Sequence, residues 1–117
     1  MEGISKAREY RMKAKYNITP EQFMEMYDRQ GGMCPICGKK LNLNITKAHR
    51  LRVVIDHNHE SGKVRGLLHS VCNAYISIME KYSGNVAAYF RNNDIVLYAE
   101  MVSAFNGSNI EEILENV

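Results

Sequence analysis

Apolar residues recur at helical spacing near both ends of the chain, and one β-branched run lies between them. Residues 4–16 suit a short basic helix with little apolar content of its own. Thr19-Pro20-Glu21-Gln22 then marks a helix start, with Thr19 as N-cap, Pro20 in the first turn and Gln22 reaching back to complete a capping box. Phe23, Met26 and Tyr27 fall on one face of that helix and read as core, and Gly31-Gly32 stops it. Residues 39–50 read as a polar loop. Leu51 to His57 is a strand by its β-branched content, Asn58 to Lys63 is turn chemistry, and Val64 to Leu68 returns as a second strand, so a hairpin is predicted. Ser70 can cap a following helix with Val71, Ile76, Met79 and Tyr82 as its apolar stripe. Ser83 starts a segment carrying Val86, Ala87, Tyr89 and Phe90, broken at Asn92-Asn93. Asp94 starts another, with Ile95, Leu97, Tyr98, Met101, Val102 and Phe105, which Gly107 ends. Ser108-Asn109-Ile110-Glu111 reads as a second capping box before a short final helix. No internal repeat, low-complexity tract or dividing linker interrupts the pattern. The expected fold class is α+β and mostly helical.

A chain of 117 residues is enough for one domain with a modest core. Its apolar fraction of 45% and charged fraction of 24% place it among globular rather than disordered chains. No apolar run approaches the roughly 18 residues of a membrane span. The start, Met1 to Lys6, has no hydrophobic block of a secretory leader. The expected setting is therefore intracellular and cytoplasmic, where thiols stay reduced and three cysteines speak for metal rather than disulfides. Net charge is only +2, but it is unevenly distributed. Residues 1–16 carry +3, residues 39–65 carry +5, and residues 94–117 carry −5. A basic front and middle can face phosphate while the acidic end points away; the same charges can also be ordinary solvated helix faces.

Cys34-x-x-Cys37 and His69-x-x-Cys72 form two pairs with 31 residues between Cys37 and His69. Zinc takes four tetrahedral nitrogen and sulfur ligands, and a two-residue gap lets both members of a pair reach one ion. All three cysteines are used. The alternative is a redox Cys34-Pro35-Ile36-Cys37 pair with Cys72 buried and His69 on the surface. The second pair and the order of strands and helices around the first argue for structural zinc. Four protein ligands leave no open position, so such an ion would stabilise rather than catalyse. It would clamp the hairpin to the helix that follows.

Asp56 and His57 end the first strand, and Asn73 follows Cys72 in the next helix. A strand-turn-strand-helix unit is expected to bring those two points to face each other across the hairpin. A carboxylate and an amide oxygen suit Mg²⁺ or Mn²⁺. A neighbouring imidazole can take a proton from water, and phosphodiester hydrolysis needs both parts. Singly these residues have plainer readings: Asp56 and Asn58 as turn formers, His59 as a loop residue or an extra zinc ligand, Asn73 as a helix-entry residue.

The segments ITPEQFMEMYDRQGGMCPICGKK and VIDHNHESGKVRGLLHSVCN resemble the phage recombination endonuclease VII family, part of the wider His-Asn-His, ββα-metal endonuclease class. The resemblance covers about Ile18 to Tyr82 and rests on Asp-His-x-His, Gly-Lys-x-Arg-Gly-Leu-Leu and Cys-Asn beside a CxxC. It implies one domain over residues 1–117, with a zinc-clamped ββα core at about 18–82 and a helical extension at about 83–117. It implies zinc on Cys34, Cys37, His69 and Cys72, a catalytic divalent ion on Asp56 and Asn73, His57 as general base, and His59 near the scissile phosphate. Lys63 and Arg65, with Arg52 from the basic stretch, are the implied DNA contacts. The implied activity is cleavage of DNA, branched as at a Holliday junction or ordinary duplex, with a homodimer in the family's namesake. Two departures stand out: His69 replaces the family's usual cysteine, and Ile76-Ser77 replaces its Leu-Gly. A zinc module that binds nucleic acid without cutting is the competing class.

Overall fold

The computed structural model describes residues 4–107 and 109–117, so the predicted contribution of Ser108 to a capping box lies outside the described residues. The chain divides into two compact units, one ending at Ile76 and the other beginning at Ser77.

In the first unit, α1 (Lys6–Tyr16) begins at Ser5, whose hydroxyl accepts from the Arg8 amide. It ends at Asn17, whose left-handed φ of 54° closes the last turn onto Met12 and Lys13 carbonyls. Its inward stripe is Arg8, Met12 and half-buried Tyr16, spaced four apart, so the basic helix docks with one arginine facing inward. α2 (Pro20–Arg29) carries the predicted capping box in full: Gln22 N–H donates to Thr19 Oγ1 at 3.1 Å and Thr19 N–H to Gln22 Oε1 at 2.9 Å. Phe23, 1% exposed, is its anchor in the core, where burial of a side chain that size stabilises by about 1.5–3 kcal/mol. Leu41, Leu67 and Cys34 are equally enclosed, and Ile4, Ile18, Val53, Ile55 and Leu68 complete the cluster.

β1 (Val53–His57) and β2 (Val64–His69) form a two-stranded antiparallel sheet. Its register runs from Val53 opposite His69 to Asp56 opposite Gly66, then shifts so that His57 faces Val64. β1 starts two residues later than its β-branched run predicts, because Leu51 and Arg52 are still turning: the Arg52 amide donates to the His49 carbonyl at 3.0 Å. The outer edge of β2 is closed by Gln30, the residue after α2. Its amide oxygen accepts from Leu67 N–H at 2.8 Å while its NH2 donates to the Leu67 carbonyl at 2.9 Å and the Met33 carbonyl at 3.0 Å. One glutamine thus takes the place of a third strand. Gly66 leaves room for it, since a Cβ there would lie 3.0 Å from Gln30 Oε1.

α3 (Ser70–Asn93) follows β2 without a loop, so Ser70 is the first residue of the helix rather than a residue outside it. The predicted break at Ser83 is expressed as a kink: Tyr82 has φ −124° and ψ 21°, and the helix continues beyond it. In the second unit, α4 (Ile95–Asn106) is capped by Asp94, which accepts from Leu97 N–H, and is ended by left-handed Gly107. α5 (Ile110–Glu115) packs on α4, with Asn109 accepting from the Glu111 and Glu112 amides. The architecture is α+β and mostly helical, with the hairpin and the start of α3 forming a ββα unit. Among the described residues, no helix is long and apolar enough to cross a membrane.

Candidate metal centre and candidate active site

Two sites lie at opposite ends of β2. At its C-terminal end the predicted pairs converge: one ligand atom each from Cys34, Cys37, His69 and Cys72 lie within 4.8 Å of one another. A small antiparallel loop presents the first pair. Cys34 N–H donates to the Lys39 carbonyl and Gly38 N–H to the Cys34 carbonyl, both at 2.8 Å, and Met33 bridges Lys40. Gly38 takes φ +73°, which lets the knuckle close so tightly. His69 is the last residue of β2 and Cys72 lies in the first turn of α3, so the second pair joins strand to helix.

His69 Nε2 lies 3.1 Å from the Lys40 carbonyl, which can only accept, so that nitrogen carries the proton. Nδ1 then keeps its lone pair and faces the thiols, 3.3 Å from Cys37 Sγ and 3.9 Å from Cys72 Sγ. Ligands of a tetrahedral zinc at ordinary bond lengths stand roughly 3.5–3.8 Å apart; the two His69 contacts fall on either side of that range, and the donor set fits the ion in its chemistry. The thiols are strongly differentiated. Burial pushes Cys34 up, but backbone hydrogen bonds from Cys37, His69 and Ile36 and the side chain of Cys72 outweigh it and hold the thiol at about 6. Burial and the neighbouring Cys34 and Cys37 push Cys72 up to about 12. A cation among them reverses the mutual repulsion that keeps Cys72 protonated. The redox-pair reading is displaced by the fact that all three sulfurs converge with one imidazole.

At the other end of β2 lie Asp56, His57 and His59. Asp56 is 8% exposed and is gripped by Arg65, whose Nε and Nη2 donate to its two carboxylate oxygens at 2.8 Å each. The register shift makes this possible. In an uninterrupted ladder Arg65 would stand opposite His57, on the face turned away from Asp56; the extra residue in β2 turns its side chain back. Each carboxylate oxygen keeps a lone pair beyond its bond to Arg65, so a divalent cation can still be ligated there. His57 is half-buried, its ring 5.2 Å from that of Tyr16 and 4.8 Å from that of His59. Asn58 is the turn former: its side-chain oxygen accepts from Glu60 and Ser61 amides at 2.9 Å.

Asn73 sits half-buried one residue after Cys72, in the first turn of α3. Lys63 and Arg65 line a cleft of about 580 Å³ between the hairpin turn and α2, to which Arg29, Gln30 and Tyr16 also contribute. Arg52 lines a different pocket, between α1 and β1. Sequence reasoning passed over Tyr16 and Gln30. Tyr16 sits at i+4 from Met12, a helical spacing that could have flagged it as inward; nothing in the sequence signals that Gln30 pairs with a strand edge.

The model of the recombination endonuclease VII family matches residues 9–93. The Gene 59 protein of Mycobacterium phage D29 is 43% identical over 68 residues, which are 58% of this chain and 38% of that protein. The Gene 59 protein of Mycobacterium phage L5 is 39% identical over 67 residues, 57% of this chain and 37% of that protein. The chain therefore spans less than two fifths of the length of these relatives. No solved structure matches.

Proposed function

Since the chain belongs to the recombination endonuclease VII family, we propose that it is a metal-dependent DNA endonuclease of the His-Asn-His type, with His57 as its general base. The observation that carries this reading is the placing of His57 directly after Asp56 at the end of β1. There the imidazole packs near the rings of Tyr16 and His59, and the preceding residue is a nearly buried carboxylate. Contact with two rings restricts how His57 can turn, which favours a fixed direction of proton uptake from an attacking water. His59, exposed at the turn, is suited to contact the phosphate under attack.

Asp56 and Asn73 are the residues we assign to a Mg²⁺ or Mn²⁺ ion, which when bound would stabilise the charge on the departing oxygen. Arg65 holds the Asp56 carboxylate in a fixed orientation. Arg65, Lys63 and Arg52 supply positive charge to phosphates along the strand. Zinc on Cys34, Cys37, His69 and Cys72 has a structural part in this scheme: it anchors the end of β2 and the start of α3, the segment that bears Asn73.

The test is His57→Ala. Losing a general base costs about 10²–10⁴-fold in rate, so nicking of supercoiled plasmid should fall at least about a hundredfold while zinc content and melting stay at parent values. A folded, zinc-loaded variant that nicks at the parent rate would overturn the mechanism. Branched and linear DNA are separated by cutting a four-way junction and a duplex of the same sequence side by side; we assign the junction as preferred substrate, and equal rates would reject that preference. The dimer of the family's namesake is tested by sedimentation of the zinc-loaded chain.

A further inference from the structure

Between α1 and the outer edge of β1 lies a pocket of about 180 Å³, of whose lining the cutting scheme above uses only Arg52 and Tyr16. Four cationic side chains line it, Arg8, Arg11, Lys15 and Arg52, and no carboxylate does. Arg29 pairs with Glu25 and Arg65 with Asp56, and among the described residues none of the four has an acidic partner. Arg8 is 6% exposed, and its Nη1 is buried with no hydrogen-bond partner among the described residues. Arg52 Nε is in the same condition. Nη2 of Arg8 makes one long bond, 3.4 Å, to the Ile45 carbonyl, and the guanidinium stands 5.7 Å from the centre of the Phe23 ring.

A guanidinium keeps its charge at any ordinary pH, so Arg8 cannot escape this environment by losing a proton. Burial, then Arg52, then Arg11, all lower its pKa from the ordinary arginine value, which means each of them opposes the charge it carries. An anion in the pocket would relieve all three at once and would satisfy both orphaned N–H groups. Two guanidinium groups present planar forks that match phosphate oxygens, and Phe23 with the edge of β1 gives the pocket an apolar wall that strengthens such contacts. Tyr16 lines this pocket too, and its ring lies 5.2 Å from that of His57. The pocket therefore opens beside the candidate active site, with Tyr16 as the wall between.

We propose that the Arg8–Arg52 pocket is a phosphate subsite, which seats a backbone phosphate of the DNA strand neighbouring the phosphate that is cut. This rests on the endonuclease reading for its ligand, but its test is read by binding and not by cleavage. The zinc-loaded full chain is titrated with a fluorescent DNA strand of the cleavable type in buffer without added divalent ion. Arg8→Met should weaken binding about tenfold and make the salt dependence shallower by about one unit of slope, as for one lost phosphate contact. Lys6→Gln, on the same helix but outside the pocket, should do neither. A single neutral methylphosphonate is then moved along the strand. One position near the cut should weaken binding by the parent and have no further effect on Arg8→Met. If both proteins respond equally at every position, the subsite is refuted. If inorganic phosphate stabilises the parent but no methylphosphonate position matters, the pocket takes free anions only and the DNA assignment is overturned. Should Arg8→Met fail to fold, Arg52→Met carries the same series with the same expected result. Absence of cutting by the parent would count against the endonuclease reading, while the comparison of parent with Arg8→Met along the methylphosphonate series still decides the subsite.

Discussion

Replacing Gln30 with alanine should loosen the hairpin more than removal of a half-exposed polar side chain ordinarily does. Gln30 makes three hydrogen bonds through its amide, two of them to Leu67, a residue with 0% exposure. Those two close the outward N–H and carbonyl of β2; the third goes to Met33, which is exposed and can turn to water. A net hydrogen bond is worth about 1 kcal/mol, and a buried group left unsatisfied costs about 1–3 kcal/mol. Water entering the gap left by the side chain offsets part of this. We therefore expect Gln30→Ala to cost about 2–3 kcal/mol. Gln30→Glu should cost at least as much at neutral pH: it keeps an acceptor for Leu67 N–H but sets a negative charge against two carbonyls. The assay is denaturant unfolding of parent and variants at one fixed free zinc concentration, because zinc binding adds to apparent stability. Amide hydrogen exchange gives the local reading. At about 1.4 kcal/mol per factor of ten, the Leu67 amide should exchange roughly 30-fold faster in Gln30→Ala. A loss below about 0.5 kcal/mol with unchanged Leu67 exchange would show that the side chain does not close this edge.

Zinc affinity should rise with pH. Near neutrality Cys34, at about 6, is already a thiolate, whereas Cys72, at about 12, keeps its proton until the ion displaces it. That proton alone weakens binding about tenfold for each unit the pH falls, and below about 6 protonation of Cys34 adds a further factor of about ten per unit, so these are the least steep slopes expected. Competition with a colorimetric chelator from pH 8 to pH 5 checks this, and an affinity unchanged between pH 8 and pH 7 would contradict it. Arg65→Met should destabilise the protein by about 1–3 kcal/mol, since it strands a carboxylate that is 8% exposed. Millimolar Mn²⁺ should then raise the melting temperature of this variant more than that of the parent, because the cation replaces the missing charge; an equal response in both would argue against Asp56 as a divalent-ion ligand.

The elements of this fold were legible because their causes are local. The Thr19 capping box, the Asp94 cap, the Gly107 stop and the β-branched run before Asp56 each act within a few residues. The metal cluster was legible for a different reason: Cys and His at fixed spacing name their own partner. What escaped depends on long-range approach. Ser83 reads as a helix start, yet the backbone bends at Tyr82 and stays helical, a choice that helix-terminus chemistry alone does not make. Arg8 is one of five basic residues in the first 16 positions and has no mark that sets it apart. Its burial follows from α1 lying against β1, with Met12 and Tyr16 on the same stripe. The grip of Arg65 on Asp56 needed an extra residue in β2, which a strict alternation of faces hides.

β2 explains why a structural ion can matter to chemistry at a distance. The strand is six residues long: His69 faces the metal cluster at one end, Leu67 is clamped by Gln30, and Arg65 grips Asp56 near the other. His69 and Arg65 are about 13 Å apart along a strand of ordinary rise, too far for the ion's field to orient Asp56 through exposed protein. Register carries the influence instead. A slip of one residue in β2 would turn each of its side chains to the opposite face, so Arg65 would leave Asp56 and Leu67 would leave the core. Two fixtures oppose that slip, the metal cluster at His69 and the glutamine at Leu67. The bulge at Arg65 cannot do so alone, since it only sets the local direction of one side chain. Zinc bound at that cluster would thus govern the geometry of the proposed cutting residues by holding a strand in register, and Gln30 would share that task.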